Sequence, residues 1–290
     1  MKNAFITGAA QGMGRLMAQK LAKEGWNVFA GVLPSEDLTE LENGPKLTIV
    51  EQDVSSDDSV TASAAQVKEA LNGAGLHLLI NNAGIANMAQ GVIEGVDVSE
   101  AQTLFNINTF GQLRCAQAFL PMIREAGRGA RIINFASGAI VANPPGAGIY
   151  NMSKYAVHGM TMVLRHELAT FGIEICSILP GGVKTAMTAN SHETTKAIWD
   201  KVPQNVRDTY YPALGDTTTK VLPDMLEKTG NDPDFLTDEV LKIAKQSGAL
   251  KPSYLVGQEV KPMIPMRRLL SERGLERMMR SQFKIPSKLS

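Results

Sequence analysis

Residues 3–14 read NAFITGAAQGMG. The apolar run from Asn3 to Thr7 reads as a strand. A glycine-rich turn follows, then a helical pattern with Leu16, Lys20 and Leu21 spaced by turns and Gly25 as its stop. Strand, glycine-rich turn, helix is the context in which such glycines acquire a chemical meaning. N–H groups at a helix N-terminus can hold a pyrophosphate, and residues without a Cβ let it come close. The spacing Gly8, Gly12, Gly14 is GxxxGxG, not GxGxxG. A tight turn with no ligand is the plain alternative.

The same grammar continues outward. Residues 27–33 (NVFAGVL), 47–50, 76–80 (LHLLI), 131–134 and 173–179 (IEICSIL) read as further strands. Helical patterns stand between them: from near Asp57 to Gly73, from Ser99 to Glu125, and from before Tyr150 to about Phe171. Polar or glycine-rich motifs appear only at the carboxyl ends of strands: Asp53-Val54-Ser55, Asn81-Asn82-Ala83-Gly84, and Pro180 to Thr185. This order predicts an α/β fold, a doubly wound parallel sheet whose ligands bind over those ends. Asp53 suits acceptance from an adenine amino group. Equally, Asp53 or Ser55 suits capping the helix that starts near Asp57. His77, at the start of a strand, reads as structural. Asn108 interrupts an apolar helix centre and requires a partner, bending the helix or holding a water.

Residues 134–157 read NFASGAIVANPPGAGIYNMSKYAV. Tyr150 and Lys154, four apart, share a helix face. An ammonium beside a phenol favours the phenolate, so this pair predicts a depressed Tyr150 pKa and an acid/base group. Ser137 precedes a Gly/Pro-rich turn and suits a hydrogen bond to a substrate oxygen. A surface tyrosine and lysine on an ordinary amphipathic helix is the competing reading of YxxxK alone.

The bulk numbers exclude other classes. A formal net charge of zero gives no support for nucleic-acid binding. Cys115 and Cys176 are too few for a disulfide framework and lie in apolar runs as packing residues. No apolar run spans a bilayer, and the first strand leaves no room for a cleaved leader, so a reducing, cytoplasmic setting is expected.

One domain is expected over residues 1–290: a cofactor-binding and catalytic core over 1–185, a substrate lid region over 186–250, and a last strand with a C-terminal amphipathic helix over 251–290. Residues 186–229 are polar and broken by Pro203, Pro212 and Pro223, which suits a helical lid. A short helix is expected from Thr237 to Ser247, a strand at 253–256, and one helix from Pro265 to Phe283. Between Arg267 and Lys288 there are seven Lys/Arg against two Glu. Because Glu272 and Glu276 interrupt the basic face, a docked helix is expected rather than one lying on a membrane surface.

Together these motifs resemble the short-chain dehydrogenase/reductase family. TGAAQGMG from Thr7 fits its TGxxxGxG, Asp53-Val54 its adenine-contacting pair, and Asn81 to Gly84 its NNAG. Asn108 stands at the family's helix-four asparagine. Ser137 lies thirteen residues before Tyr150, Tyr150 to Lys154 is its YxxxK, and Pro180 to Thr185 its PGxVxT. The resemblance implies a Rossmann-like domain and a nicotinamide cofactor doing the redox work without a metal. It assigns Tyr150 as acid/base, and Lys154 as the group that lowers its pKa and binds the nicotinamide ribose. Ser137 would hold the substrate oxygen and Asn108 a relay water. Cofactor contacts would come from Gly8, Gln11, Gly12, Met13, Gly14, Asp53, Val54, Asn82, Ala83, Gly84, Tyr150, Lys154, Pro180, Gly181, Val183 and Thr185.

The departure is at the second strand. Neither an acid at Val32 nor a Lys or Arg at Gln11, Leu33 or Pro34 marks the ribose, and the missing positive charge favours NAD over NADP. The apolar VFAGVL end and long C-terminal part are similar to retinol, steroid and hydroxybutyrate dehydrogenases, which implies a bulky apolar secondary alcohol or ketone. Pairing into homodimers or homotetramers through the helices after strands four and five follows from the same resemblance. A catalytically silent NAD(P)-binding regulator on the same fold is the alternative. An epimerase or dehydratase is opposed by the glycine spacing and the compact C-terminal part.

Overall fold

In the computed structural model, residues 1–41, 44–86, 88, 91–184 and 190–286 are described. Seven strands form one parallel sheet in the order β3-β2-β1-β4-β5-β6-β7. They are β1 (Asn3–Ile6), β2 (Asn27–Val32), β3 (Leu47–Glu51), β4 (Leu78–Asn81), β5 (Arg131–Phe135), β6 (Glu174–Pro180) and β7 (Ser253–Val256). The first six sit where the apolar runs place them, because a parallel sheet covered on both faces needs apolar side chains at every position rather than at alternate ones. Along β1 the alternation sorts the core. Ala4 and Ile6 pack with Met17, Leu21, Leu236 and Val240 on one face. Phe5 packs with Phe119, Ile123 and Ile175 on the other. The strand order reverses at β1, which pairs with both β2 and β4. Two loops therefore part over its end and leave a crevice.

The first helices are α1 (Gly12–Lys23), α2 (Asp57–Leu71), α3 (Val98–Phe105) and α4 (Gly111–Ala126). Ser56 caps α2 by accepting from Ser59 N at 3.2 Å, so neither Asp53 nor Ser55 is its cap. Asp53 instead closes a local turn, its Oδ1 accepting from the N–H and hydroxyl of Ser55. The helical run predicted from Ser99 is one rod with a wide π-turn over Asn106–Phe110, centred on the fully buried Asn108. Such widenings absorb a side chain that takes its partner from outside the helix.

The next helices are α5 (Ala139–Ala142), α6 (Gly148–Leu168), α7 (Ser191–Lys201), α8 (Gln204–Asp216) and α9 (Leu222–Thr229). Only Pro203 breaks the chain as expected. Pro212 lies inside α8, and Pro223 falls in the first turn of α9, where a missing N–H is tolerated; a π-turn over Thr217–Val221 joins the two helices. Helix α10 (Pro233–Lys245) begins four residues before Thr237, because Asp232 caps it, accepting from Asp234 N at 2.7 Å, and proline occupies its first position. The single C-terminal helix expected from Pro265 is two: α11 (Met263–Leu269) and α12 (Glu272–Gln282). Ser271 opens α12 by accepting from Gly274 N at 3.2 Å, and a residue in that extended capping conformation ends the preceding helix. No described helix is long and apolar enough to cross a membrane.

Candidate active site

The glycine turn is fixed by its neighbours. Gly8 and Gly12 have φ of +63° and +56°, a region that favours glycine. A Cβ on Gly14 would stand 2.0 Å from the Gly8 carbonyl and 2.7 Å from Asn82 Nδ2. The first helical bond of α1 runs from Arg15 N to Gln11 O at 3.2 Å, and Gln11 provides no side-chain cap. The N–H groups of Gly12, Met13 and Gly14 thus open the helix with its positive dipole end, a cradle that fits a pyrophosphate. The Met13 side chain itself turns into the core.

Across the crevice, Thr7 Oγ1 accepts from Asn82 N (3.0 Å) and Ala83 N (2.9 Å). Asn82 Nδ2 returns bonds to the carbonyls of Thr7 (3.0 Å) and Gly8 (3.1 Å). The ends of β1 and β4 are therefore cross-braced. Thr7 belongs to the glycine motif, yet its bracing role is visible only when the two strand ends meet. Val54 packs its side chain into the core, where a Cβ on Gly111 would reach its Cγ2 at 2.9 Å.

Asn108, Ser137, Tyr150 and Lys154 come together beside Gly84. A Cβ there would lie 3.0 Å from Asn108 Oδ1 and 3.3 Å from Lys154 Nζ. The Asn108 amide is committed to Ile85: Oδ1 accepts from its N–H (2.8 Å) and Nδ2 donates to its carbonyl (2.9 Å). The Ser137 hydroxyl, which accepts from Ala139 N at 3.1 Å, stands beside the Tyr150 hydroxyl and favours its ionised form. Lys154 Nζ donates to the Phe135 carbonyl at 3.0 Å and lies 5.7 Å from the Tyr150 ring centre. The same carbonyl accepts from Gln112 Nε2 at 3.0 Å. Gln112 escaped the sequence reading, although it follows Asn108 by four residues and so shares its helix face.

The electrostatics differ from the expectation of a depressed tyrosine. Burial pushes the Tyr150 hydroxyl upward, and the Ser137 hydroxyl only partly opposes it. Burial drives the Lys154 ammonium down to about 8. Desolvation disfavours the charged form of both groups, and Lys154 spends its hydrogen bond on Phe135.

At the end of β6, Gly181 N donates to the Val256 carbonyl at 2.8 Å, and Val183 pairs with Asn231. Pro180 and Gly181 stand on the strand edge that carries the other motifs. Thr185 lies outside the described residues, as do residues 186–189 of the expected lid. A cavity of about 290 Å³ opens between the loop before α6 (Pro144, Pro145) and the helices α7 and α9 (Ile198, Trp199, Leu222, Leu226). Among the described residues one group could hold a metal ion. His192, Asp224 and Glu227 bring ligand atoms within 4.8 Å of one another on α7 and α9.

A family model described as short chain dehydrogenase matches residues 2–196. Retinol dehydrogenase 7 of Rattus norvegicus is 32% identical over 241 residues, covering 82% of this chain and 75% of the relative. The 17-beta-hydroxysteroid dehydrogenase type 6 of the same organism is 32% identical over 243 residues, with coverage of 82% and 75%. A short chain dehydrogenase from Burkholderia cenocepacia J2315, solved in complex with NADP, superposes with a TM-score of 0.71 at 26% identity, covering 99% of this chain and 100% of that one. A short-chain dehydrogenase from Streptomyces avermitilis gives a TM-score of 0.75 over 98% and 96% of the two chains; at 21% identity it speaks for the fold alone. The chain belongs to the short-chain dehydrogenase family and is one of its nicotinamide-dependent oxidoreductases.

Proposed function

We propose that the protein interconverts a bulky, apolar secondary alcohol and its ketone, with Tyr150 as the acid/base. The observation that carries this reading is the Ser137 and Tyr150 hydroxyls set side by side next to the buried Lys154, at the strand edge that also bears the glycine cradle. When bound, the nicotinamide supplies or accepts the hydride. Ser137 and Tyr150 hold the substrate oxygen between two hydroxyls, and Tyr150 moves the proton at that oxygen. Lys154 holds the ribose and, turned from the Phe135 carbonyl, sets positive charge against the developing phenolate. Asn108 fixes Ile85 and the loop after β4. Its amide donates to the Ile85 carbonyl and to Ser153 Oγ (3.3 Å) and accepts from Ile85 N, so a water relay to Lys154 would run past this amide.

The apolar lining of the 290 Å³ cavity supports a large apolar substrate, and α7 to α9 act as its lid. We assign NAD as the preferred cofactor. Leu33 N, just beyond β2, donates to Glu36 Oε2 at 2.8 Å, and Arg15, which follows the glycines, is paired with Glu40. Glu36 thus sets an acidic group at the β2 end and Glu40 offsets the Arg15 cation, which suits ribose hydroxyls better than a 2′-phosphate. Met152 and Val163, exposed on α6, suit pairing of two copies through the long helices. The test is to follow reduced-nicotinamide absorbance with each cofactor across aliphatic, aryl and steroid alcohols. Turnover of bulky secondary alcohols with NAD is expected. Cofactor binding with no turnover of any alcohol would favour the silent regulator, and preference for NADP would overturn the assignment at β2.

A further inference from the structure

Glu259, three residues beyond β7, reaches back to the loop after β6. Its Oε1 accepts from Gly182 N at 2.6 Å, and its Oε2 accepts from Asn231 Nδ2 at 2.5 Å. Asn231 in turn donates from Nδ2 to the Gly182 carbonyl (2.9 Å) and accepts at Oδ1 from Gln258 N (2.9 Å). The packing is close enough to dictate sequence. A Cβ on Gly181 would lie 1.9 Å from Oε1, and Gly257, at φ +126°, gives the turn that brings Glu259 round.

Both donors to this carboxylate are neutral N–H groups, one to each oxygen; a glutamine in its place removes the charge and keeps one of the two acceptors. Among the described residues no ion pair includes Glu259; its neighbour Lys261 is paired with Glu239 at 3.0 Å. The oxidised nicotinamide ring carries a positive charge and the reduced ring carries none. A fixed negative charge beside the loop that contacts this ring therefore discriminates between the two redox forms.

We propose that Glu259 is a positioning residue that also biases the site toward the oxidised cofactor, favouring alcohol oxidation. The inference rests on the proposed nicotinamide contact of residues 180–183. It is tested by calorimetric titration of the whole protein and of Glu259→Gln with oxidised and reduced NAD separately. The ratio of the Kd for the oxidised form to that for the reduced form should rise about 3- to 10-fold in the variant, the scale of one charge at a partly screened distance, whatever common weakening the lost acceptor brings. An unchanged ratio, or equal weakening of both forms, overturns the proposal. Asn231→Ala decides the matter independently of how well Glu259→Gln folds. It loosens the loop but keeps the charge, so the preference must survive even as both affinities fall, and its loss would overturn the proposal. A wild type that binds neither form would sink the nicotinamide reading itself, whereas a wild type that binds both with a ratio indifferent to residue 259 sinks this inference alone.

Discussion

The carboxyl edge of β1, β4 and β5 and the helical segment after residue 190 are built differently. At the sheet edge each backbone is clamped by another: Thr7 to Asn82 and Ala83, Asn108 to Ile85, Lys154 to Phe135. Gly8 and Gly14 there leave no room for a methyl group. The helical segment instead hangs on a small cluster of Val92, Trp199, Val202 and Val206, with half-exposed helices around it. Proton and hydride transfer require fixed geometry, and the edge proposed to host them is rigid and over-determined. Recognition of an apolar molecule requires shape and adjustability, which a few apolar contacts provide.

The largest expected effects break the sheet edge. Tyr150→Phe removes the exchangeable proton but keeps the ring, so kcat should fall about 10³-fold with cofactor Kd nearly unchanged. Stopped-flow turnover and calorimetry check this, and activity within tenfold of wild type would sink the role. Gly14→Ala forces a Cβ to 2.0 Å from a backbone carbonyl that cannot yield without moving β1. Loss of measurable cofactor binding is expected, with a fall in Tm. An equivalent methyl added by Gly159→Ala on α6, where nothing lies within 4 Å of the new Cβ, should leave both intact.

This contrast also explains what could be read beforehand. The sheet edge was legible because chemistry there demands particular residues at fixed spacing: Gly8, Gly12 and Gly14 at a turn, Tyr150 and Lys154 on one helix face. Gln112, Asn231 and Glu259 were not legible. Their partners are backbone groups 23, 49 and 77 residues away, so no local spacing announces them. The direction of the Tyr150 shift was misread for a related reason. Proximity of a lysine can be guessed from i,i+4 spacing, but burial and the Phe135 carbonyl cannot. Past residue 190 the prolines misled: Pro223 sits in a first turn that tolerates it, and Pro212 lies inside α8 without ending it.

A middle-sized effect tests whether the rigid edge holds its chemistry at the expense of stability. Burial takes Lys154 from 10.5 to about 8. Below pH 8 the lysine is charged in both native and unfolded chains, so wild type carries the whole desolvation cost. Between pH 8 and the unfolded value, the native chain has lost its proton while the unfolded chain keeps it, and wild-type stability rises with pH. Lys154→Met should therefore be inactive yet more stable at pH 7, by roughly 3 kcal/mol at most, less the lost Phe135 bond. The advantage should shrink as pH climbs from 8 toward 10.5. Thermal unfolding at several pH values reads this directly, and a variant less stable than wild type at pH 7 would refute it.

The smallest effect belongs to the proposed lid. Trp199 is almost wholly buried, donates from Nε1 to Thr218 Oγ1 at 2.5 Å, and meets Tyr211 edge-on with ring centres 5.2 Å apart. It also walls the apolar cavity. Trp199→Phe keeps most of the apolar surface but removes the donor, leaving α7 free to shift against the Thr217–Val221 turn. If the lid governs recognition and the sheet edge governs chemistry, KM for a bulky alcohol should rise about 3- to 10-fold, about one neutral hydrogen bond, while kcat and the KM for a short alcohol stay within twofold. A fall in kcat for both substrates would mean that the lid helps fix the geometry of Ser137 and Tyr150, and the division of labour between the two regions would be wrong.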